Sequence, residues 1–98
     1  MAHICRGGTF GSFEWDDAKA ALNLAKHGVD FFEAALALET DANEVAVEDP
    51  AHPDRILSLV LSPRTRILVV VSTERRARTR IISARKATPH EQRTYREG

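Results

Sequence analysis

A single cysteine, Cys5, is the only thiol in this 98-residue chain. One cysteine closes no internal disulfide, and with no Cys or His partner at zinc-finger spacing it argues against a stapled secreted fold and a structural metal alike. Apolar runs are short as well. None approaches the roughly 18 residues that cross a bilayer, and no charged-then-apolar leader is visible, so a cytoplasmic protein without a membrane partner is expected. Tryptophan and tyrosine occur once each, at Trp15 and Tyr95. The formal net charge is zero. That zero hides an asymmetry, because residues 1–49 hold three basic and ten acidic side chains whereas residues 50–98 hold eleven and four. Either the two halves neutralise each other on folding, or a basic surface meets phosphates while an acidic one meets a protein.

With 43% hydrophobic and 29% charged residues, the chain suits one compact domain of modest core. Residues 1–12 are small, glycine-rich and aperiodic. They are expected to lie outside the fold as a flexible extension, an expression remnant or a misplaced start, leaving 13–98 as the domain. From Asp16 or Asp17, which can cap a helix, Ala18, Ala21, Leu22 and Ala25 recur at helical spacing up to Gly28, predicting a first helix over about 16–27. Lys19, Asn23 and Lys26 form a separate polar stripe on it. Asp30 caps a second helix, "FFEAALALET", with Phe31, Ala34, Ala35 and Leu38 on one face.

Beyond Thr40 the period changes. "NEVAVED", "RILSLVLS", "RILVVVST" and "TRIISAR" predict four strands, read as an antiparallel meander with "EDPAHPDR", "SPRT" and "ERRA" as connections. Thr88 and Glu91, three apart with Pro89 between them, mark a capping box and a last helix almost without apolar residues. The expected class is α+β: two N-terminal helices, a four-stranded mainly antiparallel sheet and a C-terminal helix. Strict alternation would put Arg80, Ile82 and Ala84 on one face of the last strand and Ile81, Ser83 and Arg85 on the other. Glu74 and Arg80 flank the final hairpin turn and are placed to pair across it, a surface pair of little consequence unless it serves a ligand.

His27, in the last turn of the first helix, either stabilises the helix dipole or exchanges protons as a general acid or base. Trp15 either staples the chain into the core or stacks on a base, packing being the commoner outcome. No nucleophile elbow, phosphate loop or HExxH pattern is present. RNA cleavage suits such a metal-free and cofactor-free set, because the 2′-hydroxyl supplies the nucleophile and the protein need only orient it, move protons and neutralise the phosphate. Arginines do the last by bidentate contact with phosphate oxygens.

Taken together, Phe13-Glu14-Trp15-Asp16, Lys26-His27-Gly28 with Phe31, and Arg80-Ile81-Ile82-Ser83-Ala84-Arg85 resemble the BrnT toxins of bacterial type II toxin–antitoxin systems. The resemblance spans Phe13 to about Tyr95. It implies a RelE-like fold, growth arrest by metal-independent endoribonuclease activity, and neutralisation by a BrnA-type antitoxin whose ribbon-helix-helix domain carries the complex to operator DNA. Carried over by position, it points to His27, Glu74, Arg80 and Arg85 as catalytic residues, with Lys26, Arg55, Lys86 and Tyr95 binding RNA. The competing reading is a non-catalytic module that binds an antitoxin or nucleic acid, as a decayed toxin would. A DNA-binding regulator acting alone is disfavoured, since no reading motif is present.

Overall fold

The computed structural model describes residues 7–97. Six strands and three helices follow in the order β1 (Gly7–Phe10), β2 (Phe13–Asp16), α1 (Asp17–His27), α2 (Phe31–Thr40), β3 (Val45–Asp49), β4 (His52–Leu61), β5 (Ile67–Arg75), β6 (Arg78–Lys86) and α3 (Pro89–Glu97). The strands form one mixed sheet in the order β1-β2-β6-β5-β4-β3. The class is α+β as expected, and β3 to β6 form the antiparallel meander.

The sheet has more strands than the expected four. Phe13, Glu14, Trp15 and Asp16 alternate between buried and half-buried, the two-residue period of a strand. This strand runs parallel to β6, pairing Phe13 with Thr79 and Glu14 with Arg80. Of the twelve residues expected outside the fold, 1–6 lie outside the described residues, while Gly7–Phe10 form β1, antiparallel to β2. The proline-containing connection also proves shorter than expected. β4 begins at His52, and Pro53 sits in a stretch of β4 that precedes its pairing with β5 at Arg55; a missing N–H costs no ladder bond there.

The caps fall where the sequence places them. Asp16 accepts from the amides of Ala18 and Lys19 at 2.8 and 3.1 Å, and Asp30 accepts from Phe32 at 2.9 Å. The bond from Lys19, foremost, holds the Asp16 carboxyl below its ordinary range. Gly28 closes α1 in the left-handed region at φ 72°, a conformation that only glycine adopts without cost. Thr88 and Glu91 form the reciprocal capping box at 2.9 and 3.2 Å.

The face that α1 buries is a different one. Ala18, Ala21 and Ala25 are exposed and Leu22 is 70% exposed, whereas Asn23, from the polar stripe, is 8% exposed. Its carboxamide donates to the carbonyls of Val29 at 2.9 Å and Ala84 at 2.8 Å, and accepts from the Ala84 amide at 3.2 Å. A buried amide so satisfied is a good core residue. Helices α1 and α2 cover one face of the sheet. The core there joins Phe13, Trp15, Val29, Phe31, Ala34, Ala35 and Ala37 to Val60, Leu68, Val70, Ile81 and Ala84. Trp15 meets Phe31 edge-on, with ring centroids 6.4 Å apart, so packing is its role. Nearly buried Glu33 receives a bidentate fork from Arg66 at 2.8 and 2.6 Å, and Arg66 also donates to the carbonyl of Gly28. The fork holds the Glu33 carboxyl below its ordinary range and fastens α2 to the β4–β5 turn.

Replacing Asn23 by Ala strands three backbone groups at once. It is expected to lower stability by about 3 kcal/mol, since each unsatisfied buried group costs roughly 1–3 kcal/mol. Leu22→Ser at the exposed face is expected to stay within about 0.5 kcal/mol of wild type. Chemical denaturation of the two variants checks the pair, and the opposite ranking would overturn the assignment of faces.

Candidate active site

The sheet's other face, away from α1 and α2, gathers the arginines. Its composition follows from the register. Arg55 of β4 lies opposite Thr73 of β5, Thr73 opposite Arg80 of β6, and Arg80 beside Glu14 of β2. These four side chains form one row across the sheet, since directly paired residues project to the same side. Two rungs further on, Leu59, Val69 and Arg85 make a parallel row. Ser83 and Val71 stand between them.

A bulge makes this possible. The register of β5 and β6 shifts between Val71 and Ser72, so that Val71 faces Ser83 while Ser72 faces Ile81, leaving Ile82 without a partner. One extra residue reverses the parity of everything beyond it. Strict alternation would separate Arg80 from Arg85; the bulge puts both on the open face with Ser83, and it turns Ile81 and Ala84 together into the core.

The register set by the two-residue turn at Arg76 and Ala77 corrects the expected Glu74–Arg80 pair. Glu74 lies opposite Thr79 on the helix side and accepts from the Thr79 hydroxyl at 2.9 Å. Arg80 instead pairs with Glu14 at 3.0 Å, both side chains being partly buried. Arg85 makes a bidentate pair with Glu91 of α3 at 2.8 and 2.9 Å. Glu91 thus serves both the capping box and the sheet, and the Arg85 fork, foremost, pulls its carboxyl down to about 2. Arg55 makes no ion pair among the described residues.

The remaining candidates lie elsewhere. Lys26 and His27 end α1, with His27 half-buried one turn beyond Asn23 and Lys26 exposed. Lys86 lies opposite Leu68, a core residue, and so belongs to the helix side. Tyr95 donates from its hydroxyl to Asp41 at 2.7 Å, and Asp41 also accepts from the Leu61 amide at 2.8 Å. Burial, reinforced by the Asp41 carboxylate, pushes the Tyr95 phenol up to about 12. Burial pushes Asp41 up too, but the bonds from Leu61, Asn43 and Tyr95 outweigh it and hold that carboxyl below its ordinary range. Tyr95 therefore anchors α3 to the end of α2 and β4, away from the arginine row. The structure brings Arg55, Arg80 and Arg85 to one face and leaves Lys26, His27, Glu74, Lys86 and Tyr95 off it.

Sequence reasoning missed Glu14 and Thr73. The alternation in "FEWD" is the signal that Glu14 sits on a strand. Thr73 was visible as a strand residue, but its place between two arginines follows only from the register. Its hydroxyl donates to the carbonyl of Asp54 at 2.7 Å. Arg75 and Arg78 face each other beyond the row, across a turn in which Arg76 and Ala77 take φ 53° and 67°. Two non-glycine residues in the left-handed region strain this tight turn. Among the described residues, no three His, Cys, Asp or Glu side chains are grouped to hold a metal ion, and no helix is long and apolar enough to cross a membrane.

Comparison with known proteins finds similarity to a family and to solved structures. A family model for the ribonuclease toxin BrnT of type II toxin–antitoxin systems matches residues 15–91. The 1.1 Å crystal structure of the Brucella abortus ribonuclease toxin BrnT is similar at 29% sequence identity and a TM-score of 0.63, over 76% of this chain and 92% of that one. No curated protein matches the chain.

Two titrations test the contacts that fasten α3. In the folded protein the Glu91 carboxyl is expected to titrate near 2 by NMR. Because that value is depressed from 4.5, the stabilisation from its partners is complete above the unfolded value and is lost as pH falls toward 2. The chain's one tyrosine is expected to ionise near pH 12 by ultraviolet absorbance. Its raised value means a contribution that is complete below the ordinary 10 and is lost as pH rises toward 12. Ordinary midpoints for both groups would show that α3 is undocked in solution.

Proposed function

The chain belongs to the BrnT family, the ribonuclease toxins of type II toxin–antitoxin systems, and from that membership we propose that the arginine row is where RNA is cut. The observation that carries this reading is the juxtaposition of Arg55, Thr73, Arg80 and Glu14 across four strands, with Arg85 on the same face. Cleavage within RNA needs a 2′-oxygen to attack the adjacent phosphorus while the 5′-oxygen leaves. One proton departs the nucleophile and another reaches the leaving group, and the charge on the non-bridging oxygens must be met as it grows. Arg80 and Arg85, each oriented by a carboxylate, are set to meet it, and Arg55 extends the row along the substrate.

Proton transfer is assigned to Glu74 or His27 although both lie off the face of the row, Glu74 being reached by RNA that rounds the end of the hairpin. Glu74 remains exposed one residue beyond the row, at the end of the same hairpin. His27 offers an imidazole, a group that can both take and give a proton. Lys26, Lys86 and Tyr95 would contact RNA outside the cleavage site. The guanidinium groups supply the positive charge that a divalent ion otherwise brings, which supports an endoribonuclease that works without a metal. The family pairs each toxin with an antitoxin. A BrnA-type antitoxin with a ribbon-helix-helix domain, a fold kinship with the RelE ribonucleases and action in the cytoplasm complete the proposal.

Induced expression of wild type beside Arg80→Ala, Glu74→Ala and His27→Ala, with total RNA assayed in EDTA, tests it. Wild type is expected to arrest growth and to cleave RNA with the chelator present. Arg80→Ala is expected to lose roughly 10²–10³-fold of the cleavage rate with thermal unfolding retained, the loss typical of removing a donor to developing charge. Whichever of the other two variants loses activity while folded identifies the proton-transfer residue. Undiminished arrest by Arg80→Ala would remove the row from the mechanism, and intact RNA with wild type would leave a binding module only.

A further inference from the structure

The sheet ends at β3, and that end is open. Strand β4 occupies its inner side, from Val45 opposite Leu59 to Glu48 opposite Ile56. Among the described residues, nothing bonds the outer side of 45–48. Backbone donors and acceptors facing water along an edge accept another strand readily, and proteins ordinarily blunt such edges with lysine, proline or a bulge. Here the bulge lies at the far end, between Glu48 and Asp49, and Val47 is left 54% exposed.

The side chains specify what would fit. Val45 and Val47 share their face with Leu57, Leu59 and Val69, and these five line a groove bounded on its other side by Glu91 and Thr94 of α3. Ala46 and Glu48 point the opposite way, both exposed. The stretch 39–54 that contains this edge carries six carboxylates and no lysine or arginine. RNA is repelled by that charge. A second copy pairing edge to edge would set the six carboxylates against themselves. A protein strand with apolar residues at alternate positions, aimed at the Val45 and Val47 side, and lysine or arginine between them satisfies all three features: backbone, groove and charge.

We propose that β3 is the docking edge for the antitoxin, which adds an extended, alternately apolar and basic segment to the sheet along residues 45–48. This rests on the pairing of the family's toxins with an antitoxin; the edge, its polarity and the partner's alternation are what the structure adds.

The test uses the full chain co-purified with a candidate antitoxin, a small protein encoded beside it, followed by hydrogen exchange and by titration of Val47→Lys and Glu48→Lys. Both positions are exposed and stand outside the arginine row, so folding and basal RNA cleavage are expected to stay unchanged. The complex is expected to protect amides within 45–48 relative to the free chain. Each variant is expected to weaken binding about tenfold, the scale of losing one or two cross-strand pairs with their charge complementarity. A complex that leaves 45–48 unprotected and binds both variants as tightly as wild type overturns the docking edge while the toxin–antitoxin pairing stands. Failure of the wild-type chain to form any complex with that protein removes the pairing, and the inference falls with it.

Discussion

The carboxamide of Asn23 stands in for a strand. β2 is four residues long and pairs with β6 only at Thr79 and Arg80, so further along β6 has no neighbour on that side. There Asn23 offers Ala84 both an acceptor and a donor, the two contacts a paired backbone would make. A third bond, to the Val29 carbonyl, ties the α1–α2 turn to the same point. The position of α1 follows from this junction. Trp15, just before α1, and Phe31, just after the turn, then meet in the core, and the alanine side of the helix has no packing left to do.

Signals contained within a few residues were legible in the sequence. Asp16, Gly28, Asp30 and the Thr88–Glu91 box each act on amides or carbonyls of their own turn, so a local pattern suffices to find them. The face of α1 was not legible, because alanine packs inside or outside at little cost, while an asparagine reads as polar unless its distant partner, Ala84, is known. β2 went unread because four alternating residues running straight into a helix look like its approach. Among the site residues, the abundance of basic side chains after residue 50 was plain, but their division between two faces was not. That division depends on pairing between strands, and a one-residue slip reverses it.

The sheet therefore keeps its two faces for different work. One is dry and helix-covered, fastened at its corner by the Arg66–Glu33 fork. The other carries arginines whose geometry is set in advance by carboxylates, Glu14 for Arg80 and Glu91 for Arg85. A guanidinium so held loses less rotamer freedom when it meets a planar anion, although the incoming phosphate must compete with the resident carboxylate. Arg55, without an ion pair, has no such competitor. The three arginines are thus chemically alike but unequal in readiness.

Arg80 and Arg85 stand five residues apart in sequence and still project from the same side of β6. In an unbroken strand only even separations do that. The odd interval in "RIISAR" is thereby a written trace of the bulge, and it converts a three-dimensional irregularity into a counting rule. A chain of this architecture with the two arginine positions four or six apart would need a regular strand there, and one with them five apart would need Ile82's unpaired place to be filled by some residue. Length variation within this short segment is accordingly more consequential than substitution: the side chain at the unpaired position can vary, but its presence decides which way both arginines face.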